Sequence, residues 1–344
     1  MSFNLLHVLL GLSIPLVACA QAAAYPITDS GVAFPDPNFF MNTVAWLDNS
    51  RVVFNGEPTV NERGLYVWDT NTKTLTKHTK LEQQTTLCVQ EGLLSYRRSG
   101  EIITWKPDEV EREQPLPKQF WMNPFSCRYY DSPPSWVVKG RATTPLLEEH
   151  GYLDWGPLPS TSPSDDSHLT LHRPGTADGV HLRIRRQGLT SRISYEPSRK
   201  LYLIPSERYR NPATGVVQDV GGSWPQGKAL PVWWLSPQGT ITESLIPYHP
   251  FMAAESRGFL GVKTGIFAWS HAVSGGGPGD SGGYVIRGDR VQKLIAGLLH
   301  SIAISPDGCR VAFVHDPYDG ASLKDRRDRI TVKAVDLCQG GNRE

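Results

Sequence analysis

An excess of charge of either sign is missing from this chain of 344 residues, in which 35 Lys and Arg stand against 34 Asp and Glu. So balanced a surface carries no electrostatic footprint for nucleic acid or an anionic membrane face, and neither is expected as a partner. Cysteine is sparse: there are five, and no two stand at C-x-x-C spacing. That excludes a thioredoxin-like motif and the common zinc boxes. Beyond the first 24 residues no apolar run is long enough to cross a bilayer as a helix. No Asn-x-Ser/Thr sequon, phosphate loop or metal box occurs, so no cofactor is expected.

What is present begins with an unusual N-terminus. Leu5, Leu6, Val8 to Leu10, Leu12, Ile14, Leu16 and Val17 form an apolar core, followed by the small-residue stretch Ala18 to Ala24. Residues 1 to 24 therefore read as a secretory signal peptide, with residues 25 to 344 as a single mature domain. The segment departs from the usual pattern in having no Lys or Arg before the core; only the α-amino group and His7 supply positive charge. Leu16-Val17-Ala18-Cys19 resembles the lipobox of bacterial lipoproteins. That resemblance implies lipidation of Cys19, and Ala20 after it is similar to signals for outer-membrane sorting. Ala18-Cys19-Ala20 also fits ordinary A-x-A cleavage, so both routes stay open. The expected location is extracytoplasmic: periplasmic, anchored to the outer membrane or secreted. The only membrane contact expected is a lipid on Cys19.

The chain also repeats. Val44 to Phe54 aligns without a gap on Ala303 to Phe313, and Ser194 to Ile204 fits the same frame. Each reads as strand, tight turn, strand, with Asp-Asn, Pro-Ser or Asp-Gly supplying the turn chemistry. Third strands follow at Gly64 to Trp68, Glu101 to Trp105, Pro231 to Leu235, Gly283 to Ile286 and Arg329 to Val332. More polar fourth strands follow at Thr74 to Thr79, Thr240 to Ile246 and Val291 to Ala296. Four short antiparallel strands recurring in this way predict an all-β propeller. Inner strands are expected near Thr43, Thr86, Ser126, Arg192, Gly258 and Ser301, giving six blades. The long unit over residues 126 to 190, which includes Val180 to Ile184, has room to hide a seventh. The segment Tyr25 to Phe34 is expected to supply the last blade's missing strand and close the ring, protecting edges that an open sheet would expose.

Ile304 to Phe313, with its Ser305-Pro306-Asp307-Gly308 turn, resembles the repeat of TolB-type, WD-repeat-like bacterial propellers. The resemblance implies a fold more than a function. In that topology Cys309 starts the second strand of the last blade and Cys338 ends the third, which puts them side by side. Cys88 and Cys127 would hold similar places on neighbouring inner strands. The expected disulfides are Cys309–Cys338 and Cys88–Cys127.

Two motifs invite chemistry. Gly279-Asp280-Ser281-Gly282-Gly283 resembles the nucleophile loop of chymotrypsin-like serine proteases. No T-A-A-H-C-like segment supplies a base, and a protease double barrel does not fit between propeller repeats. The five residues read instead as a connection between two strands, and no catalytic residue is assigned. His271 and His315 stand at equivalent ends of second strands, and His249 and His300 on blade crossings, so all four are expected toward one face. The long insertions Glu207 to Lys228, His271 to Gly282 and His315 to Arg329 should emerge there too. Whether any of these histidines converge on a metal is open; scattered exposed side chains are the simpler expectation. Most of the ten Trp fall on strands as core, and Trp224, in a Gly/Pro-rich loop, is the exception picked for a binding face. The basic run Lys324 to Arg329 alternates with acids and reads as a solvated loop.

Together these readings predict a non-catalytic, exported scaffold whose loop-rich face holds another protein, as an assembly factor or an inhibitor of a periplasmic protein. The competing expectation is a carbohydrate-binding protein, or a hydrolase or lyase, acting in the central funnel.

Overall fold

The computed structural model describes residues 25–34, 42–59, 62–117, 121–139, 141–157, 168–176, 178–185, 193–206, 208–210, 217–219, 224–254, 256–271, 281–318 and 327–339. The expected signal peptide, residues 1 to 24 with Cys19, lies outside them, as do Gly279, Asp280 and Lys324 to Arg326. Among the described residues no helix is long and apolar enough to cross a membrane.

Six four-stranded antiparallel sheets follow one another along the chain. Blade 1 runs Val44–Trp46, Arg51–Gly56, Gly64–Asp69 and Leu75–Lys80. Blade 2 runs Cys88–Gln90, Leu93–Arg98, Glu101–Trp105 and Arg112–Pro115. Blade 3 is Arg141–Pro145, Tyr152–Pro157, His168–His172 and Val180–Arg185. Blade 4 is Ser194–Glu196, Leu201–Pro205, Leu230–Leu235 and Ile241–Ile246. Blade 5 is Ser256–Val262, Gly265–His271, Gly282–Arg287 and Arg290–Ala296. Blade 6 takes Leu298–Ile304, Arg310–Asp316 and Thr331–Asp336 from the C-terminal part, and its outer strand is Ile27–Ala33. That strand pairs Ile27 with Val335 and Ala33 with Thr331, so one blade is completed by both ends of the described chain.

The chain folds this way because each blade alternates its side chains into the gaps on either side. One apolar cluster joins blades 6 and 1 through Phe34, Phe54, Trp68 and Val332. Others join blade 1 to 2, 3 to 4, 4 to 5 and 5 to 6. The turns between first and second strands share one chemistry: an acid collects the donors of the turn. Asp48 accepts from the Ser50 and Arg51 amides, and Glu196 from those of Ser198 and Arg199. Asp307 accepts from the Ser305 hydroxyl and the Cys309 amide. These turns meet one another. The Asp307 amide donates to Asn49 of blade 1, and Lys263 of blade 5 to the Gly308 carbonyl. Gly308, at φ +72°, is the residue this junction requires, since a Cβ there would come within 2.2 Å of the Glu196 carboxylate.

The structure corrects one inner strand. Blade 3 begins at Arg141, not near Ser126, because the preceding residues form a separate two-stranded ribbon, Trp121–Met122 against Tyr129–Tyr130. The long third unit thus holds a ribbon and a full blade. A second ribbon, Arg208–Arg210 against Val217–Asp219, stands in the insertion between the second and third strands of blade 4. Both expected disulfides are present, with Cα separations of 5.4 Å for Cys88–Cys127 and 5.2 Å for Cys309–Cys338. Cys127, however, lies in the ribbon's turn at φ +55° and not on an inner strand. Two such bonds fit an oxidising, extracytoplasmic compartment.

Candidate functional site

Blades 2 and 3 share no apolar cluster among the described residues. Between them sits the ribbon, and its sequence explains how it holds its shape without a core of its own. The Asn123 amide donates to the Arg128 carbonyl at 3.1 Å, closing the turn. Its side-chain oxygen takes the Phe125 amide at 2.9 Å, while its amide nitrogen donates to Leu146 of blade 3 at 2.7 Å. On the other side Cys127 is bonded to Cys88 of blade 2. The ribbon is therefore tied to blade 2 by a disulfide and to the blade 3 side by Asn123 and by Phe125, which packs edge-on against Tyr202 in the cluster of blades 3 and 4.

Its outer part is aromatic. Trp121 is 38% exposed and meets the edge of Trp136 with ring centres 6.5 Å apart. The Trp136 carbonyl accepts the Thr143 hydroxyl of blade 3 at 2.5 Å, which fixes that segment. Arg128 stacks 5.2 Å over the Tyr130 ring and pairs with Glu148 at 2.8 Å. The Tyr130 hydroxyl donates to the same carboxylate. Partial burial, reinforced by that carboxylate, pushes the Tyr130 phenol up to about 12, so it remains a donor at neutral pH. Beside the ribbon, Met122 and Pro124 join Asn42, Val44, Thr86, Leu87, Val89, Ile302 and Ala303 around an open cavity of about 130 Å³ in the central channel, with Cys88 in its wall.

The histidines settle differently from the expectation of scattered exposed side chains. His300 and His315 are buried, and His271 is half-buried. The structure brings His271 and His300 together, ring centres 4.9 Å apart, with His271 Nε2 2.7 Å from the Leu299 carbonyl. His315 sits on the strand paired with this one, and its Nε2 lies 2.8 Å from the Ala296 carbonyl. Burial holds its pKa below the usual imidazole value. His249 joins another group: it caps the short turn Pro250–Ala253 and packs against Tyr284 at 5.3 Å. No group of three or more His, Cys, Asp or Glu among the described residues is arranged to hold a metal.

Trp224 is 2% exposed and belongs to the core between blades 4 and 5, its indole N–H donating to the Lys228 carbonyl at 2.8 Å. Its ring offers no face to a partner. Its Gly/Pro-rich surroundings misled because they hid an apolar pocket formed by Phe251, Met252 and Ile246. Ser281 is buried immediately before the strand Gly282–Arg287, as the strand-connection reading requires. A further polar cluster, in blades 1 and 2, has Glu111 accepting from His78, Tyr96 and Arg98 at 2.5–2.9 Å. Its carboxylate is saturated by its neighbours, so it reads as a structural tie.

The ribbon was missed in the sequence, although the signal was there: Phe120-Trp121, Phe125, Tyr129-Tyr130 and Trp136 form the densest aromatic stretch of the chain. Six four-stranded sheets in a closed series, with a terminal strand completing the last, define a β-propeller. No known protein family matches the chain, and no curated protein matches it. Among solved structures, a chain of a mitotic checkpoint complex is similar over 98% of both chains at 9% identity, with a TM-score of 0.39. An oligogalacturonate lyase in complex with manganese is similar over 91% of this chain and 93% of the other, at 10% identity and a TM-score of 0.49.

Proposed function

We propose that this propeller is an exported, non-catalytic scaffold that holds another protein, and that the contact is made by the aromatic ribbon between blades 2 and 3. The observation carrying this reading is the exposed Trp121, braced by Trp136 and flanked by Arg128 and Tyr130 on a ribbon fixed at both sides. Trp, Tyr and Arg are the residues that dominate binding energy at protein interfaces, and rigid aromatic side chains lose little entropy on docking. The repeat resembling TolB-type propellers, export through residues 1 to 24 and a lipid on Cys19 complete the picture of an envelope protein. Intact-mass measurement of the mature chain tests the lipid.

The binding test compares tagged wild type with Trp121→Ala and Arg128→Ala in capture from membranes solubilised in mild detergent. One stoichiometric protein is expected with wild type, reduced about thirtyfold or more by Trp121→Ala, in line with a hot-spot residue. Equal recovery by all three chains, or no specific partner at all, sinks the reading. Retention of oligosaccharide instead of protein would favour the carbohydrate-binding alternative.

A further inference from the structure

We infer that Cys88–Cys127 is a redox-sensitive latch on the seam between blades 2 and 3, and that Cys309–Cys338 is not. The two bonds differ in what they span. Cys309–Cys338 joins adjacent strands of one blade, where the Leu337 amide already donates to the Cys309 carbonyl at 2.8 Å and Arg310 pairs with Asp336. Blade 6 also packs through apolar clusters on both its sides. Breaking that bond leaves the ring's junctions as they were. Cys88–Cys127 instead links blade 2 to the ribbon, at the junction where the described residues form no apolar cluster. Cys127 itself lies in the turn of the ribbon, at φ +55°.

Cys88 is buried in the wall of an open cavity and Cys127 is half-buried, as Cys309 and Cys338 both are, so a reductant reaches either bond and the two differ in what they hold, not in exposure. The reaction is thiol–disulfide exchange with a dithiol. A thiolate of the dithiol attacks one sulfur, the S–S bond breaks to a mixed disulfide, and the second thiol of the reagent closes its own ring. Two protein thiols and one oxidised dithiol result. With the bond gone, Asn123 still ties the turn to Leu146, so the ribbon stays with blade 3 and separates from blade 2. The latch itself requires no partner; its control of binding rests on the ribbon being the contact surface proposed above.

Hydrogen exchange read by mass spectrometry tests it on the mature chain. The samples are wild type with and without dithiothreitol, Cys88→Ser/Cys127→Ser, and Cys309→Ser/Cys338→Ser. Reduction of wild type and the first variant should speed exchange about tenfold or more in peptides covering residues 84–98 and 121–130, leaving the junction of blades 6 and 1 protected. The second variant should keep the seam protected until dithiothreitol is added. Unchanged exchange at the seam overturns the proposal. So does a loss of protection spread evenly over all six blades, since that reports a global staple and not a latch. In a parallel capture experiment, a partner retained by the oxidised chain and released by dithiothreitol extends the latch to binding. Failure of capture by the oxidised chain counts against the contact surface alone, because the exchange result stands apart from it.

Discussion

Where blade 6 meets blade 1, Phe34, Phe54, Trp68, Val314 and Val332 lock into one apolar cluster, and a strand from near the N-terminus hydrogen-bonds to one from near the C-terminus. Polar ties add to it: the Trp46 indole donates to Ala303, Thr43 to Ser301, and Arg310 to Asn49. Where blade 2 meets blade 3 the described residues share no apolar cluster, and a ribbon stands there, linked through one disulfide, the buried side chain of Asn123 and Phe125. The first junction adjoins the blade in which the ring closes, where Ile27–Ala33 pairs with Thr331–Asp336, and it has to resist opening. Elsewhere the chain is continuous, which limits how far two blades can separate. The second junction can therefore be loosely packed, and Trp121 is exposed there. On the proposed function, stability and recognition fall to different gaps of one ring.

The largest effect should come from the tight junction. Phe54→Ala removes a fully buried ring from the cluster of blades 6 and 1 and should cost about 3 to 5 kcal/mol in urea unfolding. Met122→Ala, in the half-open cavity beside the ribbon, should cost under about 1.5 kcal/mol, since little packed volume is lost. Similar losses for the two variants would remove the contrast on which this picture rests.

The disulfides sharpen the same contrast at the level of the whole fold. They close loops of similar length, 39 and 29 residues apart in sequence. Restriction of the unfolded chain alone gives each about 3 to 4 kcal/mol, nearly equal. Cys88→Ser/Cys127→Ser and Cys309→Ser/Cys338→Ser should therefore lower the unfolding free energy to similar extents while differing in where the native state opens. A much larger loss for the seam pair would mean that its role in the native state exceeds that of a latch.

Much of the ring was legible in the sequence because its signals are local and repeated. The Ser305 to Gly308 turn reports its own hydrogen bonds, and the third strand of blade 2, Glu101 to Trp105, was read to the residue. The closing strand followed from a counting argument, since a blade short of one strand leaves an edge. Cys88–Cys127 was paired correctly although the reason given, neighbouring inner strands, does not hold for Cys127. What escaped depends on non-local burial. Trp224 and the histidines look polar or exposed in their local context, and only packing by distant segments takes Trp224, His300 and His315 inside. The ribbon escaped because two strands of two residues carry too little periodicity to register, and its aromatics were absorbed into a longer presumed blade.

The smallest expected effect concerns pH and compares a histidine of blade 6 with one next to blade 3. His315 lies in blade 6, with Asp29, Lys333 and Asp316 nearby, and it is burial above all that keeps its imidazole neutral, against the raising effect of the Ala296 carbonyl. Nε2 carries the proton shared with that carbonyl, and Nδ1 is buried without a hydrogen-bond partner among the described residues. A folded-state pKa below the unfolded value of about 6.5 means that the unfolded chain binds the proton more readily. The stability contribution is therefore complete above that value and is lost as pH falls from it toward the folded-state pKa. The melting temperature should drop between pH 7.5 and 5.5, above the range in which the carboxylates with lowered pKa, such as Asp29 and Glu111, titrate. His150, half-buried at the start of blade 3's second strand, shifts in the same direction for the same reason. In His315→Gln the slope should flatten in part, and further in the double variant His150→Gln/His315→Gln. An unchanged slope in His315→Gln would show that blade 6 tolerates a charge at this position, on the face where His315 meets the Ala296 carbonyl of blade 5.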